Sequence, residues 1–428
     1  MAIRLTADIR RQPSADIALV EARENLLASL TRYRDPGPRN ASTAYIWPTD
    51  LCLVGCGHCN FASPPSSRDP GRARITERLD GLLRMLEESR VWKVVLSGGG
   101  EPLLEQEFCR GLLAGAASPD LAELELITSG YVSADRPLTV DDVAALADAW
   151  RGGRSSHARF QIRISVDWFH RGRIGLQPAV DLISILTRPE FEDVGFYIRS
   201  VLLENDTTVE DLAAMLGGRV SPIEDYQQDL ILPDGRTILV YYKNLILDGR
   251  ITRRKLDRLP VALPAQSTIA QFGKRFEDGQ GHSVPARTYN GPEVKALDGL
   301  ACIFEDDGAI KILEGNAPDR VANLAALGSW REVMDHFYAD PITVLLVREG
   351  PDALAALIGD RYPRAASVAE DHNELYHLVA RMLEAPEQAL YATLRALELH
   401  IREGLVSAPD EALARAWRAL DEAGTADV

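Results

Sequence analysis

Between Thr43 and Leu216, short apolar strands and helical stretches take turns along the chain, and this order constrains the fold more than any other feature. The strands read as Thr43–Trp47, Trp92–Leu96, Leu124–Ile127, Phe160–Val166 and Val194–Leu202. Helical patterns fall between them, at Ile75–Leu86, Phe108–Ala116, Asp141–Trp150, Pro178–Leu186 and Val209–Leu216. Parallel strands need a long crossover, and a helix supplies it, so the alternation predicts an α/β fold with a parallel sheet and helices outside. About six such units make a partial or full barrel, and barrel enzymes carry their chemistry at the C-terminal ends of the strands.

The pattern changes on either side of this region. Residues 16–33 read as an amphipathic helix, ended by Asp35-Pro36-Gly37-Pro38. Past Leu230, two hairpins are expected around Pro233-Asp234-Gly235 and Asp306-Asp307-Gly308, with an irregular stretch over 243–295. From Val368 a helical tail carries Leu375, Leu378, Val379, Met382 and Leu383 on one stripe. The expected division is a helical extension over 1–40, a barrel over 41–242, an α+β extension over 243–365 and terminal helices over 366–428. Met1 to Arg11 shows no apolar core run of a secretory signal, and no stretch of about 18 apolar residues suggests a membrane helix. The net charge of −16 argues against a broad grip on nucleic-acid phosphates.

Three of the five cysteines lie in Cys52-Leu53-Val54-Gly55-Cys56-Gly57-His58-Cys59. Thiolates this close converge on one metal centre. Four would close a structural zinc site or a fully ligated cubane, whereas three leave one iron of a [4Fe–4S] cluster open to a ligand. Spacing leaves a zinc site completed by His58 or a distant residue as the alternative. The position favours the cluster, because the run follows the first predicted strand, where barrels carry their sites. An odd cysteine count in a long chain fits reduced thiols in the cytoplasm rather than a disulfide framework. Cys109, on a predicted helix, reads as core.

After the second strand comes Ser97-Gly98-Gly99-Gly100-Glu101-Pro102. Glycines let the backbone approach a ligand without a Cβ clash, and Glu101 suits an ammonium group. A phosphate loop would continue into Gly-Lys-Ser/Thr, which is missing here. Polar residues also end the later strands: Ser129, then Ser165 and Asp167, then Arg199.

The cysteine run after the first strand, followed in order by the glycine motif, resembles the signature of the radical S-adenosylmethionine (radical SAM) superfamily. The resemblance implies a partial (β/α)6 TIM-like barrel in which Cys52, Cys56 and Cys59 hold a [4Fe–4S] cluster. It implies that Gly98, Gly99, Gly100 and Glu101 contact the amino group of S-adenosyl-L-methionine. Ser129, Ser165 and Asp167 would meet the cofactor's polar groups, and Arg199 its carboxylate. The family places an aromatic residue before the third cysteine, near the adenine; His58 stands there in this chain, and Phe61 falls where the backbone meets the adenine edge. A cluster of this kind cleaves S-adenosylmethionine reductively to a 5′-deoxyadenosyl radical, which abstracts hydrogen from a substrate carbon. A flavodoxin- or ferredoxin-type reductant is implied.

The segment Cys302-Ile303-Phe304-Glu305-Asp306-Asp307-Gly308-Ala309-Ile310-Lys311-Ile312 resembles the hairpin of SPASM/twitch extensions. Those extensions bind auxiliary clusters through several cysteines. Cys302 is the only cysteine after Cys109, so ligands for an auxiliary cluster are lacking. Some peptide and sugar epimerases of the superfamily return a hydrogen atom from a C-terminal cysteine, which makes Cys302 a candidate donor; the alternative is a small hydrophobe in the core. The expected substrate is a small molecule such as an amino sugar, or a ribosomal peptide, in natural-product tailoring. A zinc-binding interaction protein without enzymatic activity is the rival from another class. Substrate identity, the net reaction and the oligomeric state do not follow from the sequence.

Overall fold

A computed structural model describes residues 14–59, 74–133, 136, 138–224, 226–243, 245, 258–262, 299–312, 321–363 and 383–425. The chain divides into two compact units, one of Ala41–Ser267 with Ile303–Ala309, the other of Ala2–Asn40, Thr268–Cys302 and Ile310–Val428. The first described element, helix α1 (Ser14–Ser29), belongs to the second unit.

The first unit begins with strand β1 (Asn40–Ile46). It continues through α2 (Leu79–Glu88), β2 (Lys93–Leu96), α3 (Gln106–Gly115), β3 (Glu123–Thr128), α4 (Val140–Arg151) and β4 (Arg159–Ser165). Then come α5 (Trp168–Ile174), α6 (Gln177–Leu186), β5 (Gly195–Val201), α7 (Thr208–Met215), β6 (Arg219–Val220), β7 (Gln227–Ile231) and β8 (Thr237–Lys243). The strands lie in the order β1-β2-β3-β4-β5-β8-β7-β6. Each pairing from β1 to β8 is parallel, and β8-β7-β6 is antiparallel. Six parallel strands therefore form an open sheet, a partial TIM-like barrel of the α/β class. The hairpin expected at Pro233-Asp234-Gly235 is β7–β8, and its second arm is also the sixth parallel strand. Helix α5 was not anticipated.

Local chemistry explains the helices. Thr139 and Asp142 form a reciprocal capping box at the start of α4, with Asp142 N donating to Thr139 Oγ1 at 3.2 Å and Thr139 N to Asp142 Oδ2 at 2.9 Å. Val143, Leu146, Ala147 and Trp150 then bury one face at helical spacing. Cys109 is fully buried on α3 with Phe108, Leu112 and Leu113, in keeping with its reading as core.

Along the parallel strands, one face is apolar: Val94, Leu96, Leu124, Leu126, Ile162, Ile164 and Ile198. The alternate positions are mostly polar, with Val95 and Ile127 as apolar exceptions. Lys93 Nζ bridges Glu123 at 2.6 Å and Glu125 at 2.8 Å, and Tyr197 donates to Glu125. Register then places Arg163 beside Tyr197, Ser165 beside Arg199, Arg199 beside Tyr241 and Val201 beside Lys243. Because side chains alternate with a period of two, this second face carries the charged residues toward the C-terminal strand ends.

The later elements are β9 (Gly299–Phe304), β10 (Ala309–Ile312), β11 (Ala322–Asn323), α8 (Trp330–Phe337), α9 (Pro341–Glu349), α10 (Pro351–Ile358), α11 (Pro386–Arg402) and α12 (Asp410–Thr425). The expected second hairpin is present: Gly308, at φ +82°, closes its turn by donating to Glu305 O at 2.9 Å. Within the second unit, α1 packs on α11 and α12. Buried Arg23 donates to Asp340 at 3.1 Å and to Thr393 at 2.8 Å, and Asp340 also caps α9 through Ile342 N. Of the expected tail stripe, Leu375, Leu378, Val379 and Met382 lie outside the described residues, while Leu383 is buried. No described helix is long and apolar enough to cross a membrane.

His400 in this unit gives a pH prediction. It is buried, with Nδ1 3.0 Å from Tyr33 Oη, and burial together with Arg348 pulls it down to about 4. The unfolded chain, with a histidine near 6.5, binds more protons between those values, so stability rises with pH there. His400 therefore contributes fully above about pH 6.5, and on the order of 3 kcal/mol is lost as pH falls toward 4. Urea midpoints across this range should show an acid-side loss that His400→Phe flattens.

Candidate active site

Two loops at the C-terminal ends of β1 and β2 build the site, and they are locked by backbone contacts. After β1, Leu51 N donates to Thr49 Oγ1 at 3.2 Å, and the chain enters the cysteine loop. Gly55 takes φ +62°, and Cys59 N closes a turn onto Cys56 O at 3.1 Å. The glycine loop lies against the start of this loop, where Glu101 N donates to Leu51 O at 2.8 Å. A Cβ on Gly100 would stand 2.0 Å from Leu51 O, and one on Gly98 would stand 1.7 Å from Gly100 O. Only glycine permits this approach, so the run is a steric requirement of the fold as well as a ligand surface.

These loops border a cavity of about 340 Å³. The three cysteines of the run, His58, Gly98, Gly99, Gly100 and Glu101 all line it, joined by Ser129 from the end of β3 and Ser165 from the end of β4. The cysteines are half-buried and form no disulfide. Burial pushes the Cys52 thiol up, with Glu101 and Cys56 adding to it, while the amides of Val54 and Gly55 oppose the rise. Metal binding would have to displace that proton.

Glu101 is buried, and the protein itself uses its oxygens. Oε1 accepts from Thr128 Oγ1 at 2.7 Å and Leu103 N at 3.3 Å; Oε2 accepts from Ser129 Oγ at 2.9 Å and Ser129 N at 3.0 Å. Burial raises its pKa against these bonds. The carboxylate therefore clamps the glycine loop to the end of β3.

Asp167 is buried behind the cavity wall and does not line it. Its Oδ1 caps α5 by accepting from Phe169 N at 2.9 Å and His170 N at 3.0 Å. Oδ2 lies 2.9 Å from His170 Nδ1 and 3.4 Å from His58 Nε2. Burial would raise its pKa, but the two histidines hold it far below the usual carboxylate range. Burial would likewise lower His170, but Asp167, with Cys56 assisting, pushes it up to about 10. The His58 ring stacks on Phe169, with centroids 4.4 Å apart. Phe169 and Val201 belong to an apolar cluster on which Cys56 packs.

Arg199 is the register partner of Ser165 and shares its face of the sheet, but it does not line the cavity. Phe61 lies outside the described residues. Cys302 does not line the cavity either; it is completely buried in the second unit, and burial pushes its thiol well above the usual range. Sequence reasoning did not name Ser97, Thr128, Arg163, His170 or Lys243 as site residues, yet all of them line the cavity. The signal for Arg163 was available, since it lies two residues before Ser165 on one strand and so shares its face. Lys243 is visible only once β8 is known to join β5.

No family model matches the chain, and no curated protein matches it. Solved structures do match. BtrN in complex with AdoMet and 2-DOIA is 15% identical with a TM-score of 0.26, and the match covers 37% of this chain and 56% of that one, so it spans little more than half of BtrN. Native anSMEcpe with bound AdoMet and Cp18Cys peptide is 11% identical with a TM-score of 0.40, over 85% and 99% of the two chains. HydG, a maturase of the [FeFe]-hydrogenase, is 10% identical with a TM-score of 0.34, over 96% and 83%.

Proposed function

We propose that this chain is a radical S-adenosylmethionine enzyme. The observation that carries the reading is the convergence of three thiols and a glycine-backbone wall on one cavity at the C-terminal ends of parallel strands. The donor set fits a [4Fe–4S] cluster that Cys52, Cys56 and Cys59 would hold, with one iron left without a protein thiolate. It fits zinc less well, because the one nearby nitrogen donor on the loop, His58, stacks on Phe169 and lies 3.4 Å from Asp167. When bound, the cluster would supply the electron that cleaves S-adenosylmethionine to a 5′-deoxyadenosyl radical.

The chain's own residues then divide the work. The backbone of Gly98, Gly99 and Gly100 borders the position of the cofactor's amino group, with Glu101 fixing that backbone in place. Ser129 and Ser165 offer hydroxyls at the strand ends, and His58 stands where the adenine would lie. Asp167 acts through His58 and His170, and Arg199 lends positive charge near Ser165. The reading extends to a small-molecule or peptide substrate in natural-product tailoring and to a flavodoxin- or ferredoxin-type electron donor. The complete burial of Cys302 supports packing over hydrogen donation.

Anaerobically purified protein should carry about four irons and four sulfides per chain and form 5′-deoxyadenosine when reduced in the presence of S-adenosylmethionine. Zinc without sulfide would sink the reading. About eight irons would instead overturn the absence of an auxiliary cluster.

A further inference from the structure

Two cations of the cavity wall have no part in the functional reading so far. Arg163, on β4, and Lys243, at the end of β8, flank β5 on the polar face of the sheet, and both line the cavity. Strands separated by one neighbour lie roughly 10 Å apart, and the register sets Lys243 four residues further along the sheet than Arg163, so the two long side chains reach the shared cavity along the sheet as well as across β5, and each feels the other's charge. Among the described residues, neither Arg163 nor Lys243 forms an ion pair with a carboxylate, and Arg163 Nε is buried without a hydrogen-bond partner. Burying unpaired charge is costly unless a ligand completes it.

The nearby acids are already engaged. Glu125 is in direct contact with Lys93 and Tyr197 and also feels the charge of Arg163, although no ion pair joins the two; Glu101 holds Thr128, Ser129 and Leu103, and Asp167 holds His58, His170 and the start of α5. Burial, followed by repulsion from Arg163 and Arg199, pulls Lys243 down to about 8 against the attraction of Asp167 and Cys59.

We propose that Arg163 and Lys243 form an oxyanion subsite that seats a carboxylate or phosphate group of the substrate. The inference deepens the radical S-adenosylmethionine reading and rests on it for the word substrate. A planar guanidinium and an ammonium lining one cavity suit an oxyanion with several acceptor atoms. The cofactor's own carboxylate is the competing occupant.

Calorimetric titration with inorganic phosphate tests the proposal on cluster-loaded protein, with and without saturating S-adenosylmethionine. Phosphate should bind in both cases with similar affinity. Arg163→Gln and Lys243→Gln should each weaken it by about tenfold or more, while Lys243→Arg should stay within about threefold of wild type because the charge is kept. Acetate run in parallel separates a carboxylate preference from a phosphate preference, and either supports the subsite. No phosphate binding, or binding indifferent to both Gln substitutions, overturns it. Loss of phosphate binding on adding S-adenosylmethionine also overturns it, by assigning the cations to the cofactor. If the protein binds neither cluster nor S-adenosylmethionine, the functional reading fails, and titration of the metal-free chain still decides whether the oxyanion subsite exists.

Discussion

Cys56→Ala is expected to give folded protein that has lost its iron and its reductive cleavage of S-adenosylmethionine. Cys56 is half-buried against the cluster of Phe169, Val201, Leu203, Leu245 and Val261, so replacing its sulfur by hydrogen removes little packing and should cost about 1 kcal/mol. The effect on the metal is of another order. With two thiolates left, a cubane has two unprotected irons instead of one. Iron content should fall close to background, and 5′-deoxyadenosine formation with it, while the far-ultraviolet spectrum and the urea midpoint barely move. Cleavage at the wild-type rate would remove Cys56 from the ligand set and, with it, the proposed arrangement.

The second large effect is expected at Glu101. Truncation to Ala takes away the acceptor of the Thr128 and Ser129 hydroxyls and of the amides of Ser129 and Leu103. A buried donor left without a partner costs about 1–3 kcal/mol, and the four are not additive, so a total loss of about 3–5 kcal/mol is expected. The urea midpoint should drop, and cluster retention should drop with it, because the glycine loop that Glu101 clamps lies on Leu51 beside the first cysteine. A Glu101→Ala variant as stable as wild type, with full iron and weakened S-adenosylmethionine binding, would give Glu101 a direct role at the ligand instead.

That expectation shows where sequence and structure part. The glycine motif and its glutamate stand out in the sequence, and the natural reading gives the carboxylate to a ligand. Only the fold reveals that Thr128 and Ser129, at the end of the next strand, already occupy it. The five strands of the alternating region are legible because their apolar residues and flanking helices repeat over a long stretch. Strand β8 was legible as a hairpin arm, since Pro233-Asp234-Gly235 is a local signal, but its parallel pairing with β5 is a long-range fact. Helix α5 is too short for a helical period, and its start depends on Asp167, which reads equally well as a ligand residue. Arg199 stood out among the polar residues toward the strand ends and Arg163 did not; the structure puts Arg163, two residues before the end of β4, in the cavity wall and leaves Arg199 outside it.

The bonds around Asp167 also bear on the order of events during synthesis. The cysteine loop is made early, right after β1, yet the contacts that hold it come from segments made later: the glycine loop after β2 and the Asp167 carboxylate after β4. A nascent chain that has exposed only the cysteines presents three thiols on a loop without these later contacts, and His58 lacks its neighbour Asp167. The carboxylate that starts α5 is also the one that lies against the histidine beside Cys59. On the proposed function, the contacts that support the cluster-binding loop are complete only after the fourth parallel strand and the start of α5 have been made.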